Sequence, residues 1–419
     1  MTVRRLPESY EGLNEIIEFV GKGDFRFVNL ETTIHNYETY GSARSGGTWL
    51  CSPPEVLEDC KRFGFNILSS ANNHSLDYAH SGLELTIEYI ERSGYKNAGV
   101  GRNLAEASAP VYIDTEGGRY ALIGCCSSFN PESMAGEQTE DLIGRPGING
   151  IRHSVVYQAP KEELEHLKRI ATLAYLGGER PVRRKEGYLP PLPEGKVEFG
   201  EILFEESDTY GKREILNERD MKRVADAINE AKQHADYVIV SMHSHQLKTV
   251  AKDEPADFFE EFAHRCVDAG ANAVIGHGPH LLRPIEIYKS SPIFYSLGDF
   301  TLQIEDIPRA PADMYEKEGL SPEVGIKRLF DKRNAHGTRG LCYERVMFEA
   351  VIPYWEAEDG RLTGLTLLPI ELGFDLPRSV SGWPRPATDK GIIERLAKMS
   401  EPYGTKIRIE NGVGVVELD

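Results

Sequence analysis

Short apolar runs alternate with longer amphipathic stretches through the first third of the chain. DFRFVNLE (24–31) reads as a strand ending in a carboxylate, and FNILSS (65–70) and RYALIGCCSS (119–128) read as further strands. Between them, PPEVLEDCKRFG (53–64) opens on Pro and closes on Gly, as a helix does. SGLELTIEYIERSG (81–94) sets Leu83, Ile87 and Ile90 at helical spacing and stops at Gly94. Such alternation predicts parallel β–α units. The pattern weakens from about 130 to 215, where PVRRKEGYLPPLPEGKVEFG (181–200) is dense in Pro, Gly and charge and reads as an irregular insertion. It resumes with a helix near 217–234, a strand in DYVIVSMHSHQ (236–246) and a helix in PADFFEEFAHRCVDAG (255–270). ANAVIGHGPH (271–280) and SPIFYSLGDF (291–300) follow as strand-then-loop units. Residues 301–345 form a second irregular excursion, and CYERVMFEAVIPYW (342–355) and RLTGLTLLPIEL (361–372) alternate like antiparallel strands.

A chain of 419 residues, 40% hydrophobic, can bury a large α/β core. Its net charge of −18 argues against a nucleic acid partner and against docking on an anionic membrane. No apolar run is long enough for a transmembrane helix, and MTVRRLPESYEG lacks the apolar segment of a secretory signal. A cytoplasmic location without a membrane anchor is therefore expected. Cys51, Cys60, Cys125, Cys126, Cys266 and Cys342 show no paired framework and no CxxC, so reduced thiols are expected and a thiolate zinc site is not.

Polar residues that follow the apolar runs carry the chemistry. In SSANNHS (69–75) an Asn-Asn-His triplet ends a buried-looking strand, either as a plain turn or as a source of ligands. Four strands end in metal-binding residue types: Glu31 after FRFVNL, Asn73 with His74 after FNILSSAN, His243 after DYVIVSM, and His277 with His280 after ANAVIG. Singly, each has an ordinary reading: a surface Glu31, a core His243 with its bonds satisfied, loop residues at His277 and His280. In open α/β sheets, however, the loops at the carboxyl ends of strands meet in one crevice. Carboxylate, amide oxygen and imidazole without thiolate suit Mn, Fe or Zn in a hydrolytic or Lewis-acid site. Two cations bridged by a carboxylate would use the whole set, and His74, beside Asn73, would be free to act as general acid. AGVGRN (98–103) lacks a third Gly in register and reads as a tight turn, with Arg102 an anion contact at most.

In order, VNLETTI, SSANNHSLDYAHSGLELTIEYIERSGYKNAGVGRNLAEA, VIVSMHSHQ, GANAVIGHGPHLLRPIEIY and PIFYSLGDF resemble the poly-γ-glutamate capsule biosynthesis family CapA, over residues 20–300 or so. The resemblance implies an α/β (α+β) metallophosphatase-like fold, a four-layer αββα sandwich with a dinuclear metal site at the strand ends. It would occupy residues 1–375, with insertions near 130–215 and 301–345, and residues 376–419 would pack on it as an extension. Carried over by motif, Glu31 is the bridging carboxylate and Asn73 a second-metal ligand, His74 protonates or orients substrate, and His243, His277 and His280 complete the ligands. The implied substrate is a γ-glutamyl polymer, a small peptide or a related amide. Metal-assisted proton abstraction at a peptide α-carbon, phosphoester hydrolysis and a non-catalytic role in polymer assembly are the alternatives.

Three departures from the family pattern stand out. The family's opening strand ends in Gly-Asp, whose Asp binds the first metal, whereas this sequence opens MTVRRLP and its Asp24 precedes a strand. An upstream start or an impaired first site is expected. The family's HWG-x-E is HSHQ, which puts His245 in place of Gly as an acid/base, a substrate contact or a support. SLGNF is SLGDF, and Asp299 is expected to orient a ligand histidine.

Overall fold

The computed structural model describes residues 2–418. They form two compact units, one from the residues up to Ile151 and from Lys222 onward, the other from Arg152–Met221. In the first unit, the apolar runs of the early chain become parallel strands β1 (Phe27–Asn29), β2 (Ile67–Ser69) and β3 (Lys96–Ala98), paired in that order. A six-stranded sheet contains β4 (Val111–Thr115), β5 (Gly118–Cys126), β6 (Tyr237–His243), β7 (Ala273–His277), β8 (Leu282–Tyr288) and β9 (Ser291–Leu297). Its order is β8-β9-β7-β6-β5-β4, parallel through the centre with an antiparallel strand at each edge. A third, antiparallel sheet runs β10 (Glu349–Glu358), β11 (Arg361–Glu371), β13 (Val413–Val416) and β12 (Ile407–Glu410).

Alternate positions on these strands explain the layering. Ile67 and Ala98 face inward with Ile239, Ile275 and Phe294 of the six-stranded sheet, and Leu367 of β11 joins the same core. On the outer side of β2, Leu68 packs with Leu57 and Ile90 from the helices α1 (Val56–Arg62) and α2 (Ala79–Arg92). Helix α3 (Asp257–Ala269) buries Phe258, Phe259 and Phe262 completely, and Phe259 meets Tyr295 of β9 edge-on. Each of those rings contributes roughly 1.5–3 kcal/mol by leaving water. Helices thus lie outside sheets that share one core. Helix α4 (Gly391–Ser400) adds Ile392, Ile393 and Leu396 to that core, and β13 pairs with β11, so the C-terminal residues are built into the sheet and core.

Both excursions hold ordered elements. In the second unit, strands His153–Ala159, Lys196–Phe199, Ile202–Glu206 and Gly211–Leu216 form a sheet, with Leu164 of helix Lys161–Leu173 over Ala159 and Val197. The alternation Lys-Val-Glu-Phe (196–199) is the strand signal that the surrounding Pro and Gly obscure. In 301–345, Met314, Tyr315, Leu329 and Phe330 pack with Trp49 and Leu50. All six cysteines are unpaired, and among the described residues no helix is long and apolar enough to cross a membrane.

Two features frame the strand ends. First, β1 and β10 each keep one edge without a strand partner among the described residues. A cavity of about 780 Å³ lies between them, lined by Phe27, Val351 and Trp355 and reaching Glu31, His277 and Asp299. Second, the two inner sheets touch at Gly99 and Gly124. Gly99, in the AGVGRN turn, has φ +86°, and a Cβ there would lie 2.5 Å from Ala71 Cβ. A Cβ on Gly124 would lie 2.8 Å from Gly99 Cα. Gly99→Ala should therefore cost roughly 2–5 kcal/mol, from backbone strain and overpacking together. Gly94→Ala, at φ +83° with nothing within 4 Å, should cost only roughly 1–2 kcal/mol. Urea unfolding of the two variants tests this, and equal losses would refute the close approach.

Candidate metal centre

Strands β5, β6 and β7 are parallel and in register, so Cys126, His243 and His277 end level with one another. Asn29 and Ser69 pair in the same way on β1 and β2, which delivers Glu31 and the Asn-Asn-His turn to one region. The turn is braced by its first asparagine. Asn72 donates from Nδ2 to the Leu30 carbonyl (2.9 Å) and accepts the His74 amide (3.0 Å), tying the turn to the residue before Glu31. Ser75 donates to the Asn72 carbonyl (2.8 Å). The brace leaves Asn73 and His74 free for other work.

Glu31 is the centre of the cluster. It is 4% exposed, and its Oε1 has no hydrogen-bond partner. Around that oxygen stand His243 Nε2 at 3.7 Å, His280 Nε2 at 3.8 Å and His74 Nε2 at 4.0 Å. These separations are too long for hydrogen bonds and leave room for an atom between the groups. His245 belongs here too: with Glu31 and His280 it offers three ligand atoms within 4.8 Å of one another. Its amide donates to Ser128 Oγ (2.7 Å), while Gln246 Oε1 accepts from Ser127, Ser128 and Ser244 and so fixes the HSHQ loop. A buried carboxylate oxygen without a partner, ringed by imidazoles, fits a divalent cation by donor type.

The remaining residues of interest are placed as follows. Asn73 donates from Nδ2 to the Gly46 carbonyl (2.9 Å), and its buried Oδ1 has no partner. Asp299 Oδ1 lies 3.2 Å from His280 Nδ1, while its Oδ2 is unpartnered. His277 turns away from Glu31, with Nδ1 2.8 Å from His243 Nδ1 and Nε2 2.8 Å from Ser241 Oγ. Arg102 is engaged elsewhere, in ion pairs with Glu91 (2.9 Å) and Glu106 (2.7 Å). Asp24 sits against Gly117, close to Tyr120. Sequence reasoning missed Asp77, whose Oδ2 is 2.6 Å from His74 Nδ1 and accepts the Leu50 amide at 2.7 Å. Its only signal was an acid three residues after the histidine in NHSLD.

Electrostatics separates the imidazoles into two kinds. Burial opposes charge on His74, but the Asp77 carboxylate and then Glu31 outweigh it, and its pKa is raised. His280 is raised likewise, with Asp299 and Glu31 overcoming burial. His243 and His245 are held well below the ordinary value by burial and by neighbouring imidazoles, and burial takes His277 down to about 3. Burial pushes Glu31 up.

All of these residues lie within the span matched by one family profile, that of the bacterial capsule synthesis protein PGA_cap, which covers residues 7–303. The chain belongs to this family. The PGA_cap fold is metallophosphatase-like, in keeping with sheets that share a core between outer helices. Its relatives include the uncharacterized protein y4sH of Sinorhizobium fredii, 35% identical across 98% of this chain and 89% of that protein. The PGA biosynthesis protein CapA of Bacillus subtilis is 24% identical, over 69% of this chain and 57% of its own length. A probable polyglutamine synthesis accessory protein of Mycobacterium tuberculosis is 25% identical, over 68% and 57%.

The neutral imidazoles make a testable prediction for metal-free protein. His277 protonates near 6.5 in the unfolded chain but only near 3 when folded. Below pH 6.5 the unfolded state therefore binds the extra proton, and stability falls with the pH. His277→Asn should flatten that acid limb in urea titrations between pH 6.5 and 4. An unchanged slope would show that His277 is not held neutral.

Proposed function

We propose that the chain is a metal-dependent enzyme acting on an amide bond of a γ-glutamyl polymer or peptide. The observation that carries this reading is the buried, unpartnered Glu31 Oε1 within 4.0 Å of three imidazoles, one of them backed by Asp77. Glu31, His243, His245 and His280 would hold one cation, and Asn73 Oδ1 is free to join. His277 would contribute to a second only on releasing Ser241. A divalent ion such as Mn, Fe or Zn polarises a carbonyl and lowers the pKa of water. His74 keeps its Nδ1 proton on Asp77, so its Nε2 proton is the one available to a departing amine nitrogen. Asp299 holds His280 in orientation through Nδ1. The substrate class is supported by the relatives' names, which speak of PGA and capsule biosynthesis. A cytoplasmic location belongs to the same proposal and is supported by the unpaired cysteines.

Phosphoester hydrolysis is the second reading, favoured by the metallophosphatase-like fold. Incubation with a γ-glutamyl peptide and with a generic phosphodiester, both with added Mn, separates them; robust phosphodiester turnover would sink the amide reading. Metal analysis by mass spectrometry should find one to two equivalents in the wild type. Glu31→Gln and His280→Ala should lose metal, whereas Asp77→Asn should keep it and lose roughly 10²–10⁴ in kcat. A metal-loaded chain inert toward both substrates would favour a non-catalytic assembly role.

A further inference from the structure

We propose that a pocket beside His74 recognises a substrate carboxylate and that Arg44 is its specificity-determining residue. This rests on the reading of the centre as one that acts on acidic peptides. The pocket, about 270 Å³, is lined by Asn73, Asp77, His80 of α2, Arg44 and Glu132 among others. The loop that carries Arg44 is pinned on both sides of it. Before it, the Ser42 amide donates to the Asp77 carbonyl at 2.9 Å. After it, the Gly46 amide donates to Asp77 Oδ1 at 2.8 Å and the Gly46 carbonyl accepts from Asn73 Nδ2 at 2.9 Å. Both pins reach residues that flank His74, so a group held by Arg44 is placed relative to that imidazole.

Within GSARSGG (41–47) Arg44 is the one long side chain, and it is exposed. Among the described residues it makes no ion pair, in a chain of net charge −18 where most arginines are matched to carboxylates. Asp77, in the same pocket, is bonded to Gly46, Leu50 and His74 and not to Arg44. His80 Nε2 is buried without a partner and provides a second donor or acceptor in the same pocket. A guanidinium fork with a nearby imidazole matches a carboxylate in shape and charge. Phosphate offers the same oxygen chemistry, but its second negative charge meets Glu132, which favours the singly charged carboxylate.

Calorimetric binding of tri-γ-glutamate to the full chain tests the proposal. Its triamide analogue and inorganic phosphate serve as the other probes. Arg44→Gln should weaken trimer binding by roughly 10-fold to 100-fold at unchanged Tm, with partial recovery in Arg44→Lys. The triamide should bind weakly and equally to wild type and variant, and phosphate should bind less tightly than the trimer. Equal trimer affinity in Arg44→Gln, tighter phosphate binding, or no binding of the trimer to the wild type would each overturn it. Loss of binding in Arg44→Gln with no amide turnover in the wild type would leave this pocket standing and remove the proposed reaction. Turnover with unchanged KM in Arg44→Gln would do the reverse.

Discussion

Glu31 holds an oxygen that no hydrogen bond satisfies, in a place water hardly reaches. An isolated buried carboxylate is unfavourable by several kcal/mol unless charge or a metal compensates it. Here the charge compensation comes from two parts of the chain at once: His280 in the loop after β7 and His74 in the turn after β2. The backbone that brings them together is the parallel register of β5, β6 and β7, which fixes where the loops leave the sheet. The close contact at Gly99 and Gly124 fixes how far the smaller sheet, which carries Glu31, stands from the larger one. A shift of either sheet would move the carboxylate away from its imidazoles.

Asp77 is the second organising group. It receives the amides of Gly46 and Leu50 and holds His74 Nδ1, so one carboxylate sets the protonation of His74 and the position of the loop that carries Gly46 and Leu50. Removing its charge would lower the His74 pKa and loosen two loop contacts together. Activity loss at Asp77 thus carries a structural and an electrostatic part, and metal content separates the group from the ligands.

Much of the centre was legible because its residues sit where short apolar runs stop. Glu31, His74, His243 and His280 are each such a residue, and the expectation that parallel strands bring them together follows from strand-end geometry. Which nitrogen faces which neighbour was not legible. The motif marks His277 as a ligand, yet its ring turns to Ser241 and His243, and His245, two residues past the strand end, stands with Glu31 and His280. That choice depends on side-chain rotation and on the Gln246 network, neither of which leaves a periodic trace. The unit at 152–221 and the place of β13 beside β11 were hidden for a related reason: His153–Ala159 pairs with Ile202–Glu206 and Gly211–Leu216, and β13 with β11, all distant in sequence.

The imidazoles also form a directed chain. Ser241 Oγ, His277, His243 and His245 touch in sequence at 2.8, 2.8 and 3.0 Å. A neutral imidazole carries one N–H, so every contact is satisfied when all protons point the same way. Running from Ser241 outward, the chain puts a proton on His243 Nε2, toward the Glu31 side. Running back, His245 Nε2 donates to His243 Nε2, His243 Nδ1 donates to His277 Nδ1, and His277 Nε2 donates to Ser241 Oγ. A cation on His243 Nε2 would need the His243 proton on Nδ1, toward His277, and the His243–His245 contact released, so Ser241 and His277 would set the tautomer of His243. His74 and His280 stand outside this chain, each against its own aspartate. The protonation of His74 is therefore set by Asp77 and not by the chain that runs through His243.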